Sequence, residues 1–134
     1  MVLFFQENIV FTENELVLNI AYDDIIKFVD AFYAVKMEWE DYIILKTKTD
    51  KAKISLNKSS KLNKIIVKNG CIFSYLSENN IEYIIANLMQ FYHFKTMPVN
   101  HIHLYGMIEN IDGYQIKFPK SFDFTVFFAK FDVG

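Results

Sequence analysis

The stretch Ser77–Tyr105, SENNIEYIIANLMQFYHFKTMPVNHIHLY, decides how this chain folds. Ile81, Ile84, Ile85, Leu88 and Met89 recur at helical spacing, and Phe91 and Tyr92 extend the same face. Asn79 is placed to cap the helix, and Glu82, three residues on, to complete a capping box. Pro98 forbids continuation, because it lacks the amide hydrogen a helix interior uses. His101-Ile102-His103-Leu104-Tyr105 then alternates polar and apolar residues, as a half-buried strand does. This strand is expected to run through Gly106 towards Ile111.

The residues before Ser77 carry a hairpin. Ile65-Ile66-Val67 and Cys71-Ile72-Phe73-Ser74-Tyr75 flank Asn69-Gly70, a dipeptide suited to the positive φ of a type I′ turn. Earlier still, Ile9–Thr12 and Leu16–Ile20 read as strands joined by a turn at Glu13-Asn14. Asp23-Asp24 opens a helix where its dipole favours acids, with Ile25, Ile26, Val29, Phe32 and Tyr33 as its apolar face. That helix ends near Lys36. Tyr42–Leu45 and Ala52–Leu56 are the next two strands, with a turn at Thr49-Asp50 and a polar loop from Asn57 to Asn63. After the His101 strand, Asp112-Gly113 marks a turn into Tyr114–Phe118. A long last strand places Phe122, Phe124, Val126 and Phe128 on one face.

These elements make one α+β domain over residues 1–134: a mainly antiparallel sheet with two amphipathic helices. Two successive segments share the order hairpin, helix, strand, turn, strand. This fits a duplicated ββαββ unit, in which Ala52–Leu56 and Tyr114–Phe118 hold the same rank. Plain alternation of hairpins and helices gives the same order without duplication. The Phe122–Phe131 strand offers an edge on which two copies could pair, so monomer and homodimer are both open.

Composition excludes several classes. Hydrophobic residues make up 52% and aromatics 17%, which opposes disorder. No apolar run approaches the roughly 18 residues of a membrane span, so no membrane partner is expected. The apolar start Met1–Phe5 lacks the basic residue of a signal peptide. One cysteine, Cys71, cannot form an internal disulfide, which points to a reducing cytoplasm.

Net charge is −2, but Lys46–Lys68 holds eight lysines and one acid, Asp50. Such a segment can contact phosphates as point charges. Against nucleic acid stand the overall acidity and the complete lack of arginine. Lysines on an exposed strand also discourage edge-to-edge pairing, and that is the reading preferred here.

No catalytic motif is present. With only four glycines there is no phosphate-cradling loop, no serine has a Gly-x-Ser-x-Gly setting, and Cys71 has apolar neighbours. The expected catalytic set is empty and no cofactor is expected. His101 and His103 share one strand face, and His93 ends the preceding helix. They are the weak candidates for a metal, without the acid or thiol spacing of a zinc site. The favoured binding feature is Trp39, the sole tryptophan, with Glu38, Glu40, Asp41 and Tyr42 around it. Tryptophan and tyrosine are enriched at interface hot spots, and carboxylates steer towards a basic partner. Asp23 and Asp24 are expected to add to the same field. A plainer reading is that Trp39 plugs the end of the core and its acids keep the loop solvated.

Small size, acidic loops with aromatics and no active site resemble the immunity proteins of bacterial toxin–immunity pairs. Asn100-His101-Ile102-His103-Leu104 is similar to short His-x-His-hydrophobic strands in such families. This likeness covers five residues and general character, and carries over no functional residue. It implies a non-enzymatic antitoxin-like inhibitor whose partner is a cognate toxin domain, neutralised by blockade of a basic face. The alternatives are a phage or mobile-element inhibitor that mimics nucleic-acid charge, and a lysine-edged nucleic-acid or ligand-binding domain.

Overall fold

Short connections join the strands of three of the four antiparallel pairs among the described residues. In this computed structural model, residues 1–11, 15–56, 63–68, 71–95, 101–104, 107–109 and 123–128 are described. β1 (Val2–Phe4), β2 (Ile9–Phe11) and β3 (Glu15–Ile20) precede α1 (Ile25–Lys36), which a short 3₁₀ turn at Tyr22–Asp24 introduces. β4 (Tyr42–Lys46), β5 (Lys51–Leu56), β6 (Asn63–Lys68) and β7 (Cys71–Leu76) lead to α2 (Glu78–Phe94). β8 (His101–Leu104), β9 (Met107–Glu109) and β10 (Asp123–Phe128) follow. The β6–β7 register ends with Lys68 opposite Cys71, the spacing a two-residue Asn-Gly connection demands.

The strands form two sheets. One runs β1-β4-β5-β7-β6-β9 and the other β2-β3-β10-β8. Both follow one plan. The hairpin β4–β5, after α1, joins the hairpin β6–β7, before α2, through the parallel pair β5–β7. The antiparallel pair β8–β10, after α2, joins the hairpin β2–β3, before α1, through the parallel pair β3–β10. Each of these four-strand sets thus unites the strands that follow one helix with the strands that precede the other. β1 and β9 add parallel strands at the two edges of the larger sheet. The sheets are therefore mixed: among the described residues four strand pairs are antiparallel and four are parallel.

Two expectations change, and a third, that Tyr114–Phe118 follows the Asp112-Gly113 turn and holds the rank of Ala52–Leu56, lies outside the described residues. β10 is no sheet edge, since it pairs with β3 on one side and β8 on the other. The His101 strand does not run on in one sheet: β8 pairs in the smaller sheet and β9 in the larger.

The helices lie side by side over the sheets. α1 contacts β1, β4 and β5, while α2 contacts β8 and β10. They are antiparallel: Lys36, ending α1, pairs with Glu82 in the first turns of α2 at 3.3 Å. At the other end Tyr22 stacks on Tyr92 at 5.6 Å and donates its hydroxyl to the Tyr92 carbonyl at 2.8 Å. One buried cluster draws on both sheets and both helices, including Leu16, Leu18 and Ile102 from one sheet and Ile43, Leu45 and Ile54 from the other.

The helix faces are turned from the expected setting. α1 buries Ile25, Phe28, Ala31, Phe32, Ala34 and Val35, and leaves Ile26 and Tyr33 exposed. α2 buries Ile81, Ile84, Leu88 and Phe91, and leaves Met89 and Tyr92 exposed. Ser77, not Asn79, is the N-cap of α2; its Oγ accepts from the Asn80 amide at 3.3 Å. A serine two residues earlier meets the same geometric need and lets Glu78 enter the positively polarised first turn. Ser77→Ala is expected to lower stability by about 1 kcal/mol. A urea midpoint unchanged by that substitution would show that another group satisfies these amides.

Candidate functional site

Trp39 stands at the C-terminal end of α1, where the chain turns back towards β4. Three backbone donors fix this turn: Glu38 to the Val35 carbonyl at 3.1 Å, Trp39 to Ala34 at 2.9 Å, and Glu40 to Ala34 at 3.3 Å. Glu38 adopts φ 64°, a left-handed conformation costly for a residue with a Cβ. The turn satisfies helix-end carbonyls that would otherwise lack partners, which offsets that cost.

The indole is 68% exposed, so it does not plug the core. It rests on Tyr33, edge to face, with ring centroids 5.6 Å apart. The Lys36 ammonium lies 5.8 Å from the centre of the Tyr33 ring and bonds Glu82 across the helix pair. Tyr33 is thus a platform that holds Trp39 outwards. Its spacing places it on the expected buried stripe, but packing leaves it exposed. Glu40 is half-buried and its carboxylate lies 3.5 Å from the Met1 amino group, whereas Glu38 and Asp41 are exposed.

The structure separates the other expected contributors. Asp23 is exposed, but at the opposite end of α1, about 18 Å away for a twelve-residue helix. That exceeds the roughly 8 Å screening length of physiological salt. Asp24 is buried; its Oδ2 accepts from the Gln6 amide at 3.0 Å, and its Oδ1 lies 3.5 Å from Lys27 Nζ. It ties the β1–β2 connection to α1 and presents no charge to a partner surface. Tyr42 lies on the far side of β4 from the helices, with the Lys53 ammonium 3.9 Å from its ring centre. Glu82 also lies at the Trp39 end, where Lys36 pairs with it, a neighbour that a linear reading could not place there.

His93 is exposed and meets Phe94 edge-on at 5.2 Å. His101 and His103 stand opposite Phe127 and Thr125 in the β8–β10 register. Among the described residues, no three His, Cys, Asp or Glu side chains converge as a metal site. Also among these residues, no helix is long and apolar enough to cross a membrane.

The charge around Trp39 can be read by quenching its fluorescence. Flanking carboxylates concentrate cations and repel anions. Caesium is therefore expected to quench Trp39 more steeply than iodide at low ionic strength, and the two to converge as salt rises. Equal slopes at low salt would show that Glu38, Glu40 and Asp41 set up no field at the ring.

No family model matches the chain, and no curated protein or solved structure is measurably similar to it.

Proposed function

We propose that this is a non-enzymatic protein-binding module that neutralises a partner through the Trp39 end of its helix pair, as an immunity protein does. The observation that supports this is the outward indole on a fixed base. Its turn is pinned by backbone hydrogen bonds, and its ring is braced by Tyr33. An anchor already ordered before contact loses little further freedom on binding. Burying it on a partner recovers apolar area that now faces water. Glu38 and Asp41 favour a basic partner surface, such as the nucleic-acid-binding face of a toxin domain in a reducing cytoplasm.

The test is co-expression with the product of each flanking reading frame in a growth assay. The wild-type chain restores growth against one of them; Trp39→Ala and the triple variant Glu38→Ala, Glu40→Ala, Asp41→Ala do not, although both stay folded. The reading fails if no flanking product is toxic or bound, or if rescue survives both variants.

A further inference from the structure

The outer face of the larger sheet carries a second surface of opposite character. α1 packs against the inner face, where Leu3, Ile43, Leu45, Ala52 and Ile54 are buried. Strand alternation turns Phe4, Tyr42, Lys46, Lys51, Lys53 and Phe73 the other way. Register aligns them in rows. Phe4 pairs with Lys46 and Lys46 with Lys51 across β1, β4 and β5. Lys53 on β5 stands opposite Phe73 on β7. Phe4 is 61% exposed, and the other five are exposed or half-exposed.

These lysines are not edge guards, since β4 lies between β1 and β5, and β5 between β4 and β7. Nor do they neutralise acids. Among the described residues, none of Lys46, Lys51 and Lys53 forms an ion pair. Asp50, the one acid between Lys46 and Lys68, directs its Oδ2 to the Thr47 and Thr49 hydroxyls within the β4–β5 turn. Two of the three ammonium groups lie over rings instead: Lys46 Nζ is 5.5 Å from the Phe4 centroid, and Lys53 Nζ is 3.9 Å from Tyr42 and 5.8 Å from Phe73.

We infer that this face binds single-stranded nucleic acid. Sequence-tolerant binding of that kind needs cations for the backbone and aromatic faces for the bases, interleaved on one open surface. Here each ring holds a lysine above the sheet, close to where a phosphate on a base-stacked strand would lie. When the ammonium moves to the phosphate, it uncovers the ring for the base. Lysine serves as a point charge for a backbone that is not read base by base, so the lack of arginine is no obstacle. The acidic Trp39 surface packs on α1, on the other side of this sheet, so the two surfaces are independent.

The test is fluorescence anisotropy with labelled oligothymidine and oligouridine and with a duplex of equal length, using the full chain. The single strands bind at low salt, and log K falls against log salt with a slope of about −2 for three lysine contacts. Lys46→Gln, Lys51→Gln or Lys53→Gln each reduces that slope by about 0.7. Phe4→Ala weakens binding about tenfold and leaves the slope unchanged. Circular dichroism verifies that each variant is folded.

Four results would overturn the inference. One is no binding of either single strand at about 100 μM protein, the weak end of non-specific affinity. Another is duplex bound as tightly as single strand, and a third is affinity indifferent to Phe4 and the lysines. The last is sedimentation showing that the face is instead filled by the acidic surface of a second copy.

Discussion

Phe28→Ala is expected to cost about 3–5 kcal/mol, much of the 5–15 kcal/mol that holds a typical domain folded. Phe28 is fully buried in α1. Its ring meets Phe5 edge-on at 4.9 Å and stacks on Phe32 at 6.2 Å. Phe5 follows β1 directly, so one side chain joins the first strand segment to the helix. Truncation removes the transfer energy of the ring and leaves a cavity that sheet and helix cannot both close over. The urea midpoint should fall with little change in slope. Phe94→Ala, at an exposed position of the same chemistry, should change stability by less than about 0.5 kcal/mol. Equal costs at the two positions would contradict the helix setting described here.

The second large effect is on binding. Trp39→Ala is expected to weaken the partner complex by about 2 kcal/mol or more, roughly thirtyfold, because a central aromatic anchor carries energy out of proportion to its area. Its effect on stability should stay within about 1 kcal/mol, the worth of one aromatic pair, since among the described residues only Tyr33 loses a ring contact. Tyr33→Ala should reproduce part of the affinity loss by releasing the indole from its platform. The acids act differently. Neutralising Glu38 and Asp41 should slow association and flatten its salt dependence, with a smaller change in dissociation. Calorimetry and stopped-flow measurements separate these outcomes. A Trp39→Ala chain that binds as tightly as wild type would remove the basis of the proposed function.

Local pattern explains which of the site's features were readable in advance. Trp39 with its neighbouring acids stands out because a sole tryptophan among charges is rare in any window. The Tyr33 platform does not, because helical spacing alone assigns Tyr33 equally well to the buried stripe. The lysine–aromatic face was hidden for a related reason. Lys46 and Lys53 are evident in the sequence, but Phe4 reaches Lys46 through a parallel pairing of strands some forty residues apart, and Phe73 reaches Lys53 through the parallel pair β5–β7.

The amino-acid order by itself determined the local elements: the hairpins, the two amphipathic helices and the α+β class. Turn chemistry and hydrophobic period act within a few residues of one another. Tertiary structure alone decided how the strands divide between two sheets, why Asp24 is buried, and why Tyr42 and Trp39 stand on different sides of β4. Both helices are apolar around more than one stripe, so their rotation is fixed only when packing selects the faces that fill the core best. The parallel pairs that join strands after one helix to strands before the other likewise rest on contacts far apart in the chain, which no local period encodes.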